Sequence, residues 1–359
     1  MKILYVITGL GLGGAERVVA NLADEMYKHG HQIKIAYLTG DIKVKPQIEN
    51  IEIIYLGLEG FMSFLSASQK YRDLINSYKP DVVHSHMVHA NIFTRLNRIL
   101  KKIPKLVCTA HNSNEGGKIR MLAYKYTNFL SNFNTNVSQA ATEAFIKSGA
   151  FTRDNIQTIY NGIDLDKFNC DNKRDINPSS FNSSEVNFLS VGRFEKQKDY
   201  PNLIKAVYLV KKIYHKPIKF YIAGEGRLRP LLENLIEKMQ LSNDIILLGA
   251  RADIPELLNQ SNFFILPSKY EGFGLVVAEA MACKCFVIST NSLGPAEIMG
   301  DTGILVEPQN PAKLADAILY ALTLSPGIIQ ENNERARMRI ESLFSLEKSV
   351  ETWLDIYAK

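Results

Sequence analysis

Cysteine is scarce, with four residues in a chain of 359. That excludes a disulfide-built scaffold and fits a reducing compartment. Two of the four, Cys283 and Cys285, fall in an apolar stretch and read as buried packing. No window holds ~18 uninterrupted apolar residues, so a spanning helix is not expected. The start, MKILYVITGLGLGG, lacks the small-residue cleavage pattern of a secretory signal. Strong net charge is also missing. The total is +5, with 46% apolar and 22% charged residues, ordinary values for a globular protein. Neither disorder nor nucleic-acid binding is indicated. The mild charge is uneven, however. Residues 1–170 carry 20 Lys and Arg against 14 Asp and Glu, and the remainder carries 22 against 23. A basic first half suits an anionic partner such as a membrane surface or a phosphorylated acceptor.

What is present is alternation. Short apolar runs at 2–8, 31–38, 51–56, 81–84 and 105–110 are separated by amphipathic segments at 14–29, 63–79, 88–101 and 117–132. Strands alternating with helices imply a parallel sheet covered on both faces. A polar stretch at about 165–185 interrupts the pattern. It then restarts with VNFLSVGRF, IKFYIAGEG, DIILLGA, NFFILPS, CFVIST and GILVEP as strands, and helices between them. The expectation is an α/β chain of two doubly wound, Rossmann-like domains facing a central cleft. Residues 1–170 form the first domain, 171–185 a linker and 186–340 the second. The terminal helix, 341–359, packs back on the first. Ligands in such sheets sit beyond the carboxyl ends of the strands.

Several strand ends carry suitable residues. Gly9, Gly11 and Gly14 form G-x-G-x-x-G after the first strand, with Asp41 near the end of the second. Such glycines let backbone N–H groups approach an anion at a helix N-terminus. Arg193 and Lys198 follow FLSVG, where two cations can grip a diphosphate and stabilise its charge as it departs. Gly224 and Gly226 in IAGEG admit close approach of a flat base or ribose, and Arg251 follows the next strand. In PSKYEGFGLVVAEAMAC, Glu271 precedes a helix opening through Gly272, Phe273, Gly274 and Leu275, with Glu279 eight residues on. At ~1.5 Å per residue that spacing is ~12 Å along a helix, about the length of a sugar joined to a nucleotide by a diphosphate. Alone, the pair also reads as a helix-start Glu and a solvated mid-helix Glu.

The motifs GGAERVV, VHSHMVHAN, TAHN, YNGID, VGRFEKQKD, IAGEGRLRPLLE, LGARADI and EGFGLVVAEAMAC span the chain. Together they resemble the retaining glycosyltransferases of family four, the group 1 glycosyltransferases with the two-domain GT-B fold. The resemblance implies roles. Glu279 holds the ribose and Glu271 contacts the donor sugar. Arg193 and Lys198 bind the diphosphate, and Gly272, Phe273, Gly274 and Leu275 offer backbone N–H groups. Gly224, Glu225 and Arg251 belong to the nucleotide set. From the first domain, Gly13 and Gly14 approach the phosphate and His111 faces the reacting sugar. Glu271, His111, Arg193 and Lys198 are the expected catalytic set.

The implied activity is metal-independent transfer, with retention, from a nucleotide-diphosphate sugar. UDP-sugar is the expected donor and no other cofactor is required. The acceptor is a saccharide, lipid-linked, in synthesis of cell-surface polysaccharide such as lipopolysaccharide or O-antigen. The expected location is cytoplasmic, peripheral on the inner face of the membrane.

Competing readings have specific signatures. A nicotinamide-dependent sugar oxidoreductase or epimerase would use Gly9, Gly11, Gly14 and Asp41. Yet no Tyr in residues 1–170 has a Lys four positions on. A non-catalytic sugar binder has no need of intact Glu271, Glu279, Arg193 and Lys198. His84, His86, His89 and His111 lack the Cys or carboxylate spacing of a zinc site, so no metal is assigned. Asp164 and Asp166 read as a turn and cap. Segment 117–132 mixes Lys118, Arg120 and Lys125 with large apolar residues. With Arg95, Arg98, Lys101, Lys102 and Lys105 it reads either as a surface for anionic lipid or as an ordinary domain helix.

Overall fold

The computed structural model describes residues 1–113, 115–169, 181 and 185–359. It divides into two compact units, Met1–Gly162 with Leu346–Lys359, and Ile163–Ser345. The expected linker, 171–185, lies outside the described residues except for Phe181 and Glu185.

The first unit contains β1 (Lys2–Ile7), α1 (Gly14–Lys28), β2 (Gln32–Tyr37), β3 (Glu52–Tyr55), α2 (Phe64–Tyr78) and β4 (Val82–His86). It continues through α3 (Val88–Leu100), β5 (Lys105–Ala110), α4 (Lys118–Thr127), β6 (Phe133–Asn136), α5 (Gln139–Lys147) and β7 (Gln157–Thr158). All strands are parallel, in the order β3-β2-β1-β4-β5-β6-β7. Ile3 through Ile7 are all buried, as a central parallel strand covered on both faces requires. Helices α2 and α3 seal one face through Tyr71 and Phe93, whose rings meet edge-on at 5.4 Å.

The second unit contains β8 (Val186–Val191), α6 (Tyr200–Lys211), β9 (Ile218–Ala223), α7 (Arg229–Lys238), β10 (Ile245–Gly249), α8 (Ile254–Asn259) and β11 (Phe263–Leu266). It ends with α9 (Leu275–Ala282), β12 (Phe286–Thr290), α10 (Gly294–Met299), β13 (Ile304–Val306), α11 (Pro311–Ala321) and α12 (Pro326–Leu343). Its order is β10-β9-β8-β11-β12-β13, again parallel. Phe188, Phe220 and Phe263 stack in a row across the sheet at 4.6 and 4.9 Å. Cys283 and Cys285 are free and buried.

Each sheet has a switch point, between β1 and β4 and between β8 and β11, where successive connections run in opposite directions. Ligand crevices open there, beyond the carboxyl ends. The last helix, α13 (Leu346–Ala358), belongs to the first unit. Ser349 donates to the Tyr160 carbonyl at 3.1 Å, and Lys105 donates to the Tyr357 carbonyl at 2.6 Å. A Cβ on Gly162 would stand 2.4 Å from the Leu346 backbone, so only glycine permits this approach.

The segment 117–132 is not one helix. α4 stops at Thr127 and a single 3₁₀ turn, Asn128–Leu130, follows. Three of the basic residues read as a lipid-facing set are instead structural. Arg95 is fully buried, lies over the Tyr124 ring and donates to Asn134. Arg98 donates to the Leu130 carbonyl at 2.8 Å, and Lys105 anchors α13.

Candidate functional site

In the second unit, sheet pairing runs past the strand ends. The Gly192 N–H donates to Ala223, Gly224 to Gly249, and Phe194 to Glu225, at 2.8–3.0 Å. A Cβ on Gly224 would lie 1.9 Å from the Gly192 carbonyl oxygen. Gly226, at φ +157, would place one 2.7 Å from the Phe194 carbonyl oxygen. These glycines are therefore needed to let backbone pass backbone, whatever ligand they also face. A Cβ on Gly192 would meet Lys198 Cε at 3.0 Å, so the lysine stem crosses directly over this strand end.

Lys198 closes a 3₁₀ turn, Lys196–Lys198, before α6. Its Nζ lies 2.7 Å from Glu271 Oε1, which also accepts the Ser268 hydroxyl at 2.6 Å. The two side chains are only 16% and 9% exposed. Their loops are tied together: the Lys269 N–H donates to the Gln197 carbonyl at 2.8 Å, and the Gln197 amide to the Tyr270 carbonyl at 2.9 Å. The Glu271 N–H donates to Ser292, and Glu271 bridges to Leu293, whose φ is +73°. The loops after β8, β11 and β12 thus converge on one largely buried ion pair. Removing either partner strands a poorly hydrated charge.

Gly274, in the left-handed region at φ +95, opens α9 without a side-chain cap. The first-turn N–H groups and helix dipole there favour an anion. A Cβ on Gly274 would press on Pro295 at 2.9 Å, and one on Gly294 on the Phe273 carbonyl at 2.5 Å. Phe273 is buried edge-on against Phe344. Leu275 begins the helix and Glu279 is buried within it. Glu271 lies outside the helix, so the ~12 Å axial separation inferred for the two acids does not apply: Gly272, Phe273 and Gly274 turn the chain between them.

The other expected residues are less tightly gathered. Arg193 is exposed and makes no ion pair among the described residues. Arg251 pairs in two-contact fashion with Asp253, with Nε 2.7 Å from Oδ1. The bond raises the arginine's pKa and lowers the aspartate's. Glu225 pairs with Arg229.

In the first unit, Gly13 caps α1 in extended backbone and Gly14 begins it. The buried Glu16 carboxylate curls back so that a Cβ on Gly13 would meet it at 2.3 Å. His111 follows β5 and is buried. Its Nε2 lies 3.0 Å from His86 Nδ1, and its backbone N–H donates to Glu115 at 2.9 Å. The second Glu115 oxygen accepts the Tyr124 hydroxyl at 2.6 Å, and Asn91 donates to that hydroxyl at 3.0 Å. Sequence reasoning missed Ser268, Glu115, Tyr124 and Asn91. The buried Tyr124 of α4 resembles its exposed neighbour Tyr126 in sequence, and nothing local separates them.

No group of three or more His, Cys, Asp or Glu side chains suited to a metal occurs among the described residues. His84 is bonded at both ring nitrogens, to Tyr357 at 2.6 Å and Thr109 at 2.7 Å. Asp164 accepts the N–H groups of Asp166 and Lys167, as a turn cap.

Burial lowers the pKa of His84 and His86 well below the usual imidazole value, and that of His111 to about 3. The unfolded imidazoles take up protons near pH 6.5. Below that value the unfolded chain binds more protons than the folded one, so stability falls with pH. The contribution is complete above pH 6.5 and is lost as pH drops from there toward 3. Burial raises the pKa of Glu115 and Asp199, which acts in the opposite sense, while it also lowers that of His89 and His31, which adds to the effect of the three buried rings. Thermal melts should therefore show Tm falling steadily from pH 6.5 to 5. A flat profile from pH 7.5 to 5 would contradict these three buried, neutral rings.

Two family models match the chain: Glycosyltransferase Family 4 over residues 12–167, and Glycosyl transferases group 1 over 171–341. One relative is an N-acetylgalactosamine-N,N'-diacetylbacillosaminyl-diphospho-undecaprenol 4-alpha-N-acetylgalactosaminyltransferase of Campylobacter jejuni. It is 25% identical, over 86% of this chain and 87% of its own length. Another is an N-acetyl-alpha-D-glucosaminyl L-malate synthase of Bacillus anthracis, also 25% identical, over 96% of this chain and 94% of its own. Among solved structures, Anabaena HepE in complex with UDP and glucose superimposes with a TM-score of 0.86 at 19% identity, covering 100% of both chains. It supports the fold alone. With two parallel α/β sheets, charged strand ends and two family models that together span nearly its whole length, this chain belongs to the group 1 glycosyltransferases of family 4, with the GT-B fold.

Proposed function

We propose that the protein is a retaining, metal-independent glycosyltransferase that moves a sugar from a UDP-sugar to a lipid-linked saccharide in cell-surface polysaccharide synthesis. The observation that carries this reading is the Lys198–Glu271 pair, held at a switch point between loops that also lead into the uncapped start of α9. In this reading Glu279 holds the ribose, Arg251 and Glu225 lie by the nucleotide, and Glu271 contacts the donor sugar. Arg193, Lys198 and the backbone from Gly272 to Leu275 bind the diphosphate. Gly13, Gly14 and His111 contact substrate from the first unit.

The chemistry follows from charge. The bond between the anomeric carbon and the diphosphate oxygen breaks, and negative charge grows on the leaving group. Two cations and a helix dipole stabilise that charge in place of a divalent ion. The acceptor oxygen bonds to the anomeric carbon on the same face, and its proton passes to a diphosphate oxygen.

A thermal-shift series with UDP, GDP and ADP tests the donor. UDP at a hundredfold excess over Kd should stabilise by about 2.7 kcal/mol. No response to any nucleotide would count against the assignment. The anomeric configuration of the product, read by NMR, tests retention.

The lipid-linked acceptor is supported by the surface of α2, α3 and α4. Phe61 and Met62, just before α2, are 96% and 97% exposed. Leu65, Ile119, Leu122, Tyr126 and Phe129 are exposed on the same helical layer, with Lys102, Lys118 and Lys125. Apolar side chains among lysines suit an anionic bilayer. No single helix among the described residues is long and apolar enough to cross a membrane. In this reading the contact is peripheral, on the cytoplasmic face. Sedimentation with vesicles containing phosphatidylglycerol should retain the protein. The double change Phe61→Ser, Met62→Ser should weaken retention tenfold or more, since burying each such side chain contributes about 1.5–3 kcal/mol. Equal binding by the variant removes support for this surface. A small hydroxy acid, as in the Bacillus relative's name, is the second acceptor reading, and turnover with soluble malate would favour it.

A further inference from the structure

His86 ends β4 and is wholly buried, with its ring fixed on several sides. His84 lies against it with ring centroids 4.0 Å apart, Tyr5 at 5.8 Å, and Nδ1 meets His111 Nε2 at 3.0 Å. His84 is in turn immobilised. Both of its nitrogens are bonded, and Trp353 of α13 packs on its ring at 4.4 Å. Immediately after His86 the chain turns sharply. Met87 adopts φ +73°, ψ 156°, costly for a residue with a Cβ, and its N–H donates to the Thr109 carbonyl at 3.0 Å. The strand end is thus held where it delivers the His86 ring to His111.

One hydrogen is shared along the His86–His111 contact, and its location decides what His111 can do. His86 Nε2 is buried and has no partner among the described residues. If His111 donated from Nε2, His86 would carry its own hydrogen on that unpartnered nitrogen. If His86 donates from Nδ1, its Nε2 leaves only a lone pair unsatisfied. Orphaned buried donors are rarer than under-satisfied acceptors, which favours the second arrangement.

We infer that His86 is a positioning residue: its Nδ1–H donates to His111 Nε2 and fixes His111 in the tautomer that carries hydrogen on Nδ1. This rests on the proposed reading of His111 as a substrate contact. His111 Nδ1 has no partner among the described residues, so the imidazole offers substrate a donor and not a base. With Nε2 occupied and Nδ1 protonated, His111 has no lone pair for the acceptor's proton. That proton must go to the leaving diphosphate, as the same-face step requires.

Long-range ¹H–¹⁵N correlation on protein labelled in histidine reads the tautomers directly, with a His111→Asn variant assigning the signals. His86 and His111 should both be protonated on Nδ1. His86→Phe should let His111 shift tautomer and lower kcat about tenfold or more, with donor KM within about twofold. His86→Asn, whose amide can donate from nearly the same point, should recover kcat to within about threefold of the parent. A purely packing role predicts the reverse, with phenylalanine tolerated better than asparagine. Hydrogen on His111 Nε2 in the parent protein, or an unchanged kcat in His86→Phe, overturns the inference. Should His86→Phe not fold, the parent spectrum and His86→Asn still decide. A chain that binds no nucleotide refutes the glycosyltransfer reading instead, and the tautomer spectrum then judges His86 on its own.

Discussion

Lys198→Ala should lower kcat by about 10²–10³-fold, the usual cost of removing one group that stabilises developing charge. The expected loss is mainly in kcat, because the charge that Lys198 meets grows as the diphosphate departs. A second effect accompanies it. Among the described residues the Glu271 carboxylate keeps only the Ser268 hydroxyl, and a buried carboxylate loses its cation. Stability should fall, by less than the roughly 3–5 kcal/mol of a fully buried pair. Adding Glu271→Gln to Lys198→Ala should restore stability by removing the orphaned charge, without restoring turnover. Steady-state kinetics and thermal melts on the four members of this cycle separate the two effects. An unchanged kcat in Lys198→Ala would remove the lysine from the mechanism.

Gly224→Ala should be the most damaging single methyl in the second unit. Its Cβ would lie 1.9 Å from the Gly192 carbonyl oxygen, and backbone cannot give way as a flexible side chain does. The tips of β8 and β9 must part. Overpacking of this kind costs about 3 kcal/mol or more, which lowers the Tm of a unit this size by roughly 6–12 °C. Arg193 and Lys198 leave from the displaced tip, so activity should fall with stability. Gly327→Ala is the control. Nothing lies within 4 Å of its Cβ position, in the first turn of α12, and a neutral or slightly stabilising change is expected there. Equal Tm values for the two variants would mean that the strand tips are not packed backbone to backbone.

Much of the fold was readable because parallel strands buried on both faces are continuous apolar runs. β11, and β1 after Lys2, have that form outright, and β5, β9 and β12 hold apolar runs of three or four residues. β6 was not read, and its composition explains why. Its residues Asn134, Thr135 and Asn136 are buried and polar, each satisfied by hydrogen bonds from elsewhere in the unit. Hydrophobic periodicity is blind to such a strand. α10 was missed for a related reason: it is six residues long and follows a left-handed Leu293. In the candidate site, the strand-end positions of Lys198 and Glu271 were legible, as was the place of Glu279 on the following helix. Their spacing was not, since treating Glu271 as helical ignored the turn that Gly274 makes at φ +95.

Amino-acid order alone determined the two alternating α/β halves, the family, and the cationic and acidic residues at the ends of their strands. These are local properties, written in runs of a few residues whose periodicity fixes helix or strand. Only tertiary structure decided that Lys198 pairs with Glu271 across 73 positions, that His86 reaches His111, and that α13 joins the first sheet through Tyr357 and His84. Strand order and register bring those loops together, and both emerge from burying many distant side chains at once. No local stretch of sequence encodes them.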